Sequence, residues 1–211
     1  MCTCCSRAPA TAATSTCPRP RRSEVSRLLL TAGNVIGFQL VWLASIGGAG
    51  AGLAWAGPAA AAVFVAAMLA IGGRRRDDLR MLAIALPVGL AMDSGFAASG
   101  WLVYAEPGPW PALAPVWIAS LWAGFALTLN HSMAFLRGRP AAAALFGLLG
   151  GPLAYWSAAE AFSAVAFGVP AAWALAALAI GWAAVLPLLF ALGGRGRADT
   201  RPALAVRKAA T

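Results

Sequence analysis

The chain holds 211 residues, 61% hydrophobic and only 11% charged, with nine tryptophans and a mean hydropathy of +0.75. A soluble domain carries about a quarter charged residues, so this composition excludes an ordinary globular enzyme. The net charge of +9 invites a nucleic-acid partner, but all sixteen Lys and Arg fall in clusters between or outside the long apolar runs, and that placement excludes one.

Residues 1–27 form a polar lead rich in Ala, Thr, Ser, Pro and Arg, predicted to be a disordered cytoplasmic tail. It carries Cys2, Cys4, Cys5 and Cys17. A C-x-C-C cluster can ligate metal, but with no histidine nearby and no folded frame these read as incidental thiols, and no metal site is predicted. The first span is Leu28–Gly47, with Asn34 and Gln39 inside it. The polar lead is too long for the charged region of a signal peptide, so this run is predicted to stay uncleaved. Leu53–Gly72 is the second span, ending before the charged loop Arg74-Arg75-Arg76-Asp77-Asp78.

The third span, Met81–Ser99, contains Pro87, Asp93 and Ser94. The connector that follows, 100–115, holds Trp101, Tyr104, Trp110 and four prolines without a basic residue, which suits an aromatic belt on the outer side. Val116–Leu136 is the fourth span and holds Thr128, Asn130 and His131. The fifth, Ala141–Phe162, is expected to break at Gly150-Gly151-Pro152, and the sixth, Ala171–Gly193, precedes a basic cytoplasmic tail, 194–211. The fold class is therefore an all-α membrane protein, a bundle of six transmembrane helices over 28–193. Six crossings put every basic cluster on one side, so both termini are predicted to be cytoplasmic, N-in and C-in, in a bacterial inner membrane.

A rise of about 1.5 Å per residue converts distance along each span into depth. A mid-membrane layer then gathers Gln39, Asp93, Ser94, Gly150, Gly151, Pro152 and Tyr155. An inner-leaflet layer gathers Asn34, Thr128, Asn130 and His131. A carboxyl group near the bilayer centre costs about 2.5–3.5 kcal/mol on insertion scales, so Asp93 must seek donors, with Gln39 and Tyr155 at matching depth. Pro152 lacks a donor and the two glycines allow close approach, so this layer reads either as a transporter-like site or as interhelical glue around a packing kink. His131, the one histidine, suits an acid/base role toward a lipid headgroup, or equally a hydrogen bond to Asn34. With His131 and Asp93 as the only candidate catalytic residues, no cofactor motif is present.

The strings Gly33-Asn34, Phe38-Gln39 and Trp42, then Met92-Asp93-Ser94, Thr128-Leu129-Asn130-His131-Ser132, and Gly150-Gly151-Pro152-Leu153-Ala154-Tyr155 occur in that order. Over about residues 30–193 the chain resembles a bacterial family of membrane proteins built from a domain of unknown function. The resemblance implies an inner-membrane protein without an assigned activity. Genes of such proteins neighbour enzymes that modify fatty acyl chains, such as cyclopropane-fatty-acid-synthase-like proteins, which points to envelope lipids. Three functions follow as expectations. The first is a non-catalytic partner or scaffold for lipid-modifying or stress-response proteins, with the bilayer and lipid-modifying enzymes as partners. The second is a small transporter using Asp93, and the third a membrane-embedded enzyme acting on lipid. No repeat relates spans 1–3 to spans 4–6, which weighs against the transporter. Oligomeric state leaves no signal in the sequence.

Overall fold

The computed structural model describes residues 22–198, so the four cysteines and the larger part of both predicted tails lie outside the described residues. Six α-helices follow in order: α1 Arg22–Gly50, α2 Ala56–Ile71, α3 Arg75–Ala98, α4 Val116–Asn130, α5 Pro140–Glu160 and α6 Ala171–Ala198. Two short strands, β1 Leu102–Tyr104 and β2 Val165–Phe167, join the α3–α4 and α5–α6 connectors, and a 3₁₀ turn, Ala134–Leu136, links α4 to α5. The predicted all-α class is found. Four stretches are long and apolar enough to cross a bilayer: Ser26–Gly50, Arg75–Ala98, Pro140–Glu160 and Ala171–Gly194. With 16 and 15 residues, α2 and α4 are shorter, reaching roughly 22–24 Å against about 30 Å of hydrocarbon.

Several expected boundaries move. Helix α1 begins at Arg22, within the stretch read as a disordered tail, and α6 runs on to Ala198. The charged segment read as a loop is the first turn of α3, where Asp77 and Asp78 complement the helix dipole. The expected break in the fifth span does not occur, since α5 is one helix through Gly150, Gly151 and Pro152. An internal proline leaves one backbone bond unmade, a loss that neighbouring helices can absorb. Here the glycines serve packing. A Cβ at Gly147 would strike the backbone of Trp182, and one at Gly151 its indole.

Helix α4 is the central element. Ten of its fifteen residues are buried, and it packs on α1, α2 and α3, while α3 leans on α6 and α6 on α5. Along α3 the buried residues are Asp78, Met81, Ala85, Gly89 and Asp93, at spacings of three and four that keep them on one face. That stripe carries an acid at each end, about 22 Å apart by helical rise.

The connectors sort to the two ends of the bundle. Arg74, ahead of α3, donates from Nη1 to the carbonyl of Asn130 at 3.0 Å, and Arg137, ahead of α5, donates from Nη2 to Asn130 Oδ1 at 2.7 Å. Both basic connectors therefore meet at the C-terminal end of α4. At the opposite end β1 and β2 pair antiparallel, with Leu102 opposite Phe167 and Tyr104 opposite Val165. The 100–115 connector is thus not simply an interfacial belt. Leu102 and Tyr104 point inward and Val103 outward, the alternation expected of a strand.

Candidate functional site

Asp93 is fully buried and is the meeting point of four elements. Its Oδ1 accepts hydrogen bonds from the Tyr104 hydroxyl on β1, at 2.7 Å, and from the Tyr155 hydroxyl on α5. Its Oδ2 accepts from Trp122 Nε1 on α4 at 2.6 Å. Because an indole N–H can only donate, Oδ2 is held as an acceptor. Burial, and after it the charge of Asp93, raises the Tyr104 phenol far above its ordinary range, so Tyr104 remains a donor at any physiological pH.

Local sequence explains how the indole reaches the acid. Gly89 lies one turn before Asp93 on the same face of α3, and a Cβ there would overlap the Trp122 ring. Glycine therefore makes the seat in which Trp122 lies. The other face of that ring is covered by Trp182 of α6, nearly parallel at 4° with centroids 4.9 Å apart. Tyr104 is held in turn by Trp117, edge-on at 5.8 Å, whose Nε1 donates to the Ala105 carbonyl at 2.8 Å.

Of the predicted mid-membrane residues, Tyr155 is a donor to Asp93, as its depth suggested. Gln39 is not among the donors to Asp93. It is exposed on α1 and lines a cavity of about 370 Å³ that reaches the acid. Ser94 turns aside, its Oγ accepting from the Ala114 amide at 3.0 Å and fixing the connector into α4. Gly150 lines the cavity and Gly151 abuts Trp182. Tyr104 and Trp122, two of the three donors, went unrecognised in the sequence.

At the basic end a second polar cluster replaces the predicted Asn34–His131 pair. His131 Nε2 lies 3.0 Å from Asp78 Oδ2, and Asn130 Nδ2 donates to Asp78 Oδ1 at 3.0 Å. Asn34, fully buried, takes Ser132 instead, accepting from its hydroxyl at 2.6 Å and its amide at 3.3 Å. Thr128 donates to the Phe125 carbonyl at 2.7 Å, back along its own helix. The correction has a simple cause. Because α3 begins at Arg75, Asp78 is inside the fold, fully buried and a stronger acceptor for an imidazole than an amide would be. The two candidate catalytic groups, His131 and Asp93, are therefore not brought together, and each has its own partners at opposite ends of the α3 stripe. Among the described residues no cluster of three metal-ligating side chains occurs.

The family described as proteins of unknown function, DUF2878, matches residues 31–188. The chain belongs to the DUF2878 family. That match takes in α2 to α5 entire, and with them Asp78, Asp93 and every donor that meets either acid. No curated protein and no solved structure matches the chain.

Proposed function

We propose that this DUF2878 protein is a six-span inner-membrane protein, with both termini in the cytoplasm, that acts without catalysis as a partner for enzymes modifying envelope lipids. The observation that carries the non-catalytic part is the engagement of Asp93 by three donors. Both carboxylate oxygens are engaged by donors from β1, α4 and α5, so the acid knits elements together and has no free oxygen poised for a substrate proton. An unbroken α5 also removes the discontinuous helix that transporter sites commonly use. Support for the topology comes from charge. Every basic cluster falls on one side of a six-span path, and the two internal ones converge on Asn130. Buried within the bundle, α4 can be short because little of it faces lipid.

One observation favours an embedded enzyme as the second reading. His131 has a buried carboxylate fixing its ring, the arrangement that orients a general base. A single complementation series separates the two. Deletion of the gene is expected to alter the acyl-chain profile of the envelope. Both Asp93→Asn and His131→Ala are expected to restore that profile when they accumulate to the normal level. Failure of His131→Ala at full abundance would favour the enzyme. Failure of Asp93→Asn at full abundance, or an unchanged lipid profile in the deletion strain, would overturn the partner reading.

A further inference from the structure

The cavity beside Asp93 has a shape that the partner role leaves unexplained. Its walls come from α1, α4 and α5, with Trp182 and Leu186 of α6 behind. On α5 the lining runs from Phe146 to Ala158, about 18 Å of helix, and on α1 from Phe38 to Ile46, about 12 Å. The long axis is therefore parallel to the helices, along the bilayer normal in the reading above. A space of about 370 Å³ drawn out over these lengths is narrow and elongated, the shape of one hydrocarbon chain touching its neighbours at about 3.5–4 Å. A protein helix, about 10 Å wide, does not fit.

The slot opens sideways. Helices α1 and α5 flank it without the close packing that joins α1 to α2 or α5 to α6, and its rim carries Gln39, Phe146 (47% exposed) and Leu153 (59% exposed). What arrives at such a mouth in a membrane is hydrocarbon. Spent on three donors, the Asp93 carboxylate does not make the wall hostile to it. Gly150 keeps the space open: a Cβ there would meet only the Phe146 ring, at 3.7 and 3.9 Å. The neighbouring glycines at 147 and 151 are consumed by packing on α6.

We infer that this slot receives one acyl chain of a bilayer glycerolipid, entering laterally between α1 and α5. The inference rests on the membrane placement and lipid partnership proposed above, and names the ligand of that partnership.

The test uses the full chain reconstituted in phosphatidylethanolamine and phosphatidylglycerol vesicles with a trace of phosphatidylcholine bearing a diazirine in its acyl chain. Irradiation and peptide mapping are expected to place adducts on the slot faces of α1 and α5 at least tenfold above those on outward residues such as Trp173 and Ile180, both strongly exposed. Gly150→Leu is expected to cut slot labelling at least tenfold and leave the outer adducts unchanged. Should that variant fail to insert, Ala154→Phe, from the same wall, fills the space without touching a glycine. Uniform labelling of all lipid-facing helices in the wild type would overturn the inference. So would undiminished slot labelling in an inserted blocking variant, or labelling obtained only with a diazirine free fatty acid. Slot labelling with an unchanged lipid profile in the deletion strain would sink the partner role and leave the slot standing. A changed profile without slot labelling would do the reverse.

Discussion

Trp122 and Trp182 are two stacked indoles of equal size with unequal jobs, and the difference can be measured. Trp122 donates to Asp93 Oδ2, whereas Trp182 Nε1 is buried with no acceptor among the described residues. Replacing either by phenylalanine shortens the ring and keeps an aromatic stack. Only Trp122→Phe leaves a buried acceptor oxygen without its donor, a loss of about 1–3 kcal/mol. Trp122 is also the more deeply buried, at 3% exposure, which adds up to about 1 kcal/mol of lost packing. The expected gap between the variants is thus about 1–4 kcal/mol, and at 1.4 kcal/mol per tenfold the unfolding equilibrium moves roughly five- to several-hundredfold. Unfolding in bicelles, followed by steric trapping or a denaturant titration, reads this gap directly. Equal destabilisation by the two variants, within about 0.5 kcal/mol, would refute the view of Asp93 as a hub held by three donors.

Two further substitutions probe the same frame. Gly89→Ala should be disproportionately costly, about 2–4 kcal/mol in the same unfolding assay, because the new methyl group meets an indole pinned between α3 and Trp182. A cost under about 1 kcal/mol would mean that Trp122 can move without losing Asp93. At the other end, Asp78→Ala and His131→Ala in a double-mutant cycle should show a coupling of about 1–3 kcal/mol, as expected for side chains sharing a buried contact. Independent effects would remove the link between the first turn of α3 and the end of α4.

Helix number, order and chemical class were legible because apolar run length and basic-cluster position are one-dimensional signals. Depth, counted at one residue per 1.5 Å, also sufficed to match Tyr155 to Asp93. What depth cannot carry is azimuth. Gln39 has the right height, yet it sits exposed at the mouth of the cavity and is not among the donors to Asp93, and nothing in a single apolar helix distinguishes its faces when almost every residue is hydrophobic. Tyr104 was hidden for a different reason. Its strand is three residues long, too short for alternation to register, and its pairing with β2 depends on a segment about sixty residues away.

Trp122 and Asp78 were within reach of the sequence and show which signals to weigh. Counted back from Arg137, Trp122 lies about 22 Å from the basic end, close to the depth of Asp93. It escaped because an indole in a bilayer is usually read as hydrocarbon, although its N–H is a donor that hydrocarbon cannot satisfy. Asp78 escaped because it sits among four arginines and was read as loop charge. The spacing Met81, Ala85, Gly89, Asp93, extended back by one further turn of three or four residues, arrives at Asp78 or Asp77 rather than at any arginine, and Asp78 is the one that is buried. A small or apolar stripe that begins and ends on an acid has a physical meaning in a membrane helix. Both carboxylates face the bundle because either one turned toward lipid would forfeit several kcal/mol of hydration or hydrogen bonding. The face of α3 is thereby set at both ends, which in turn fixes where α4 must supply Trp122 above and His131 below.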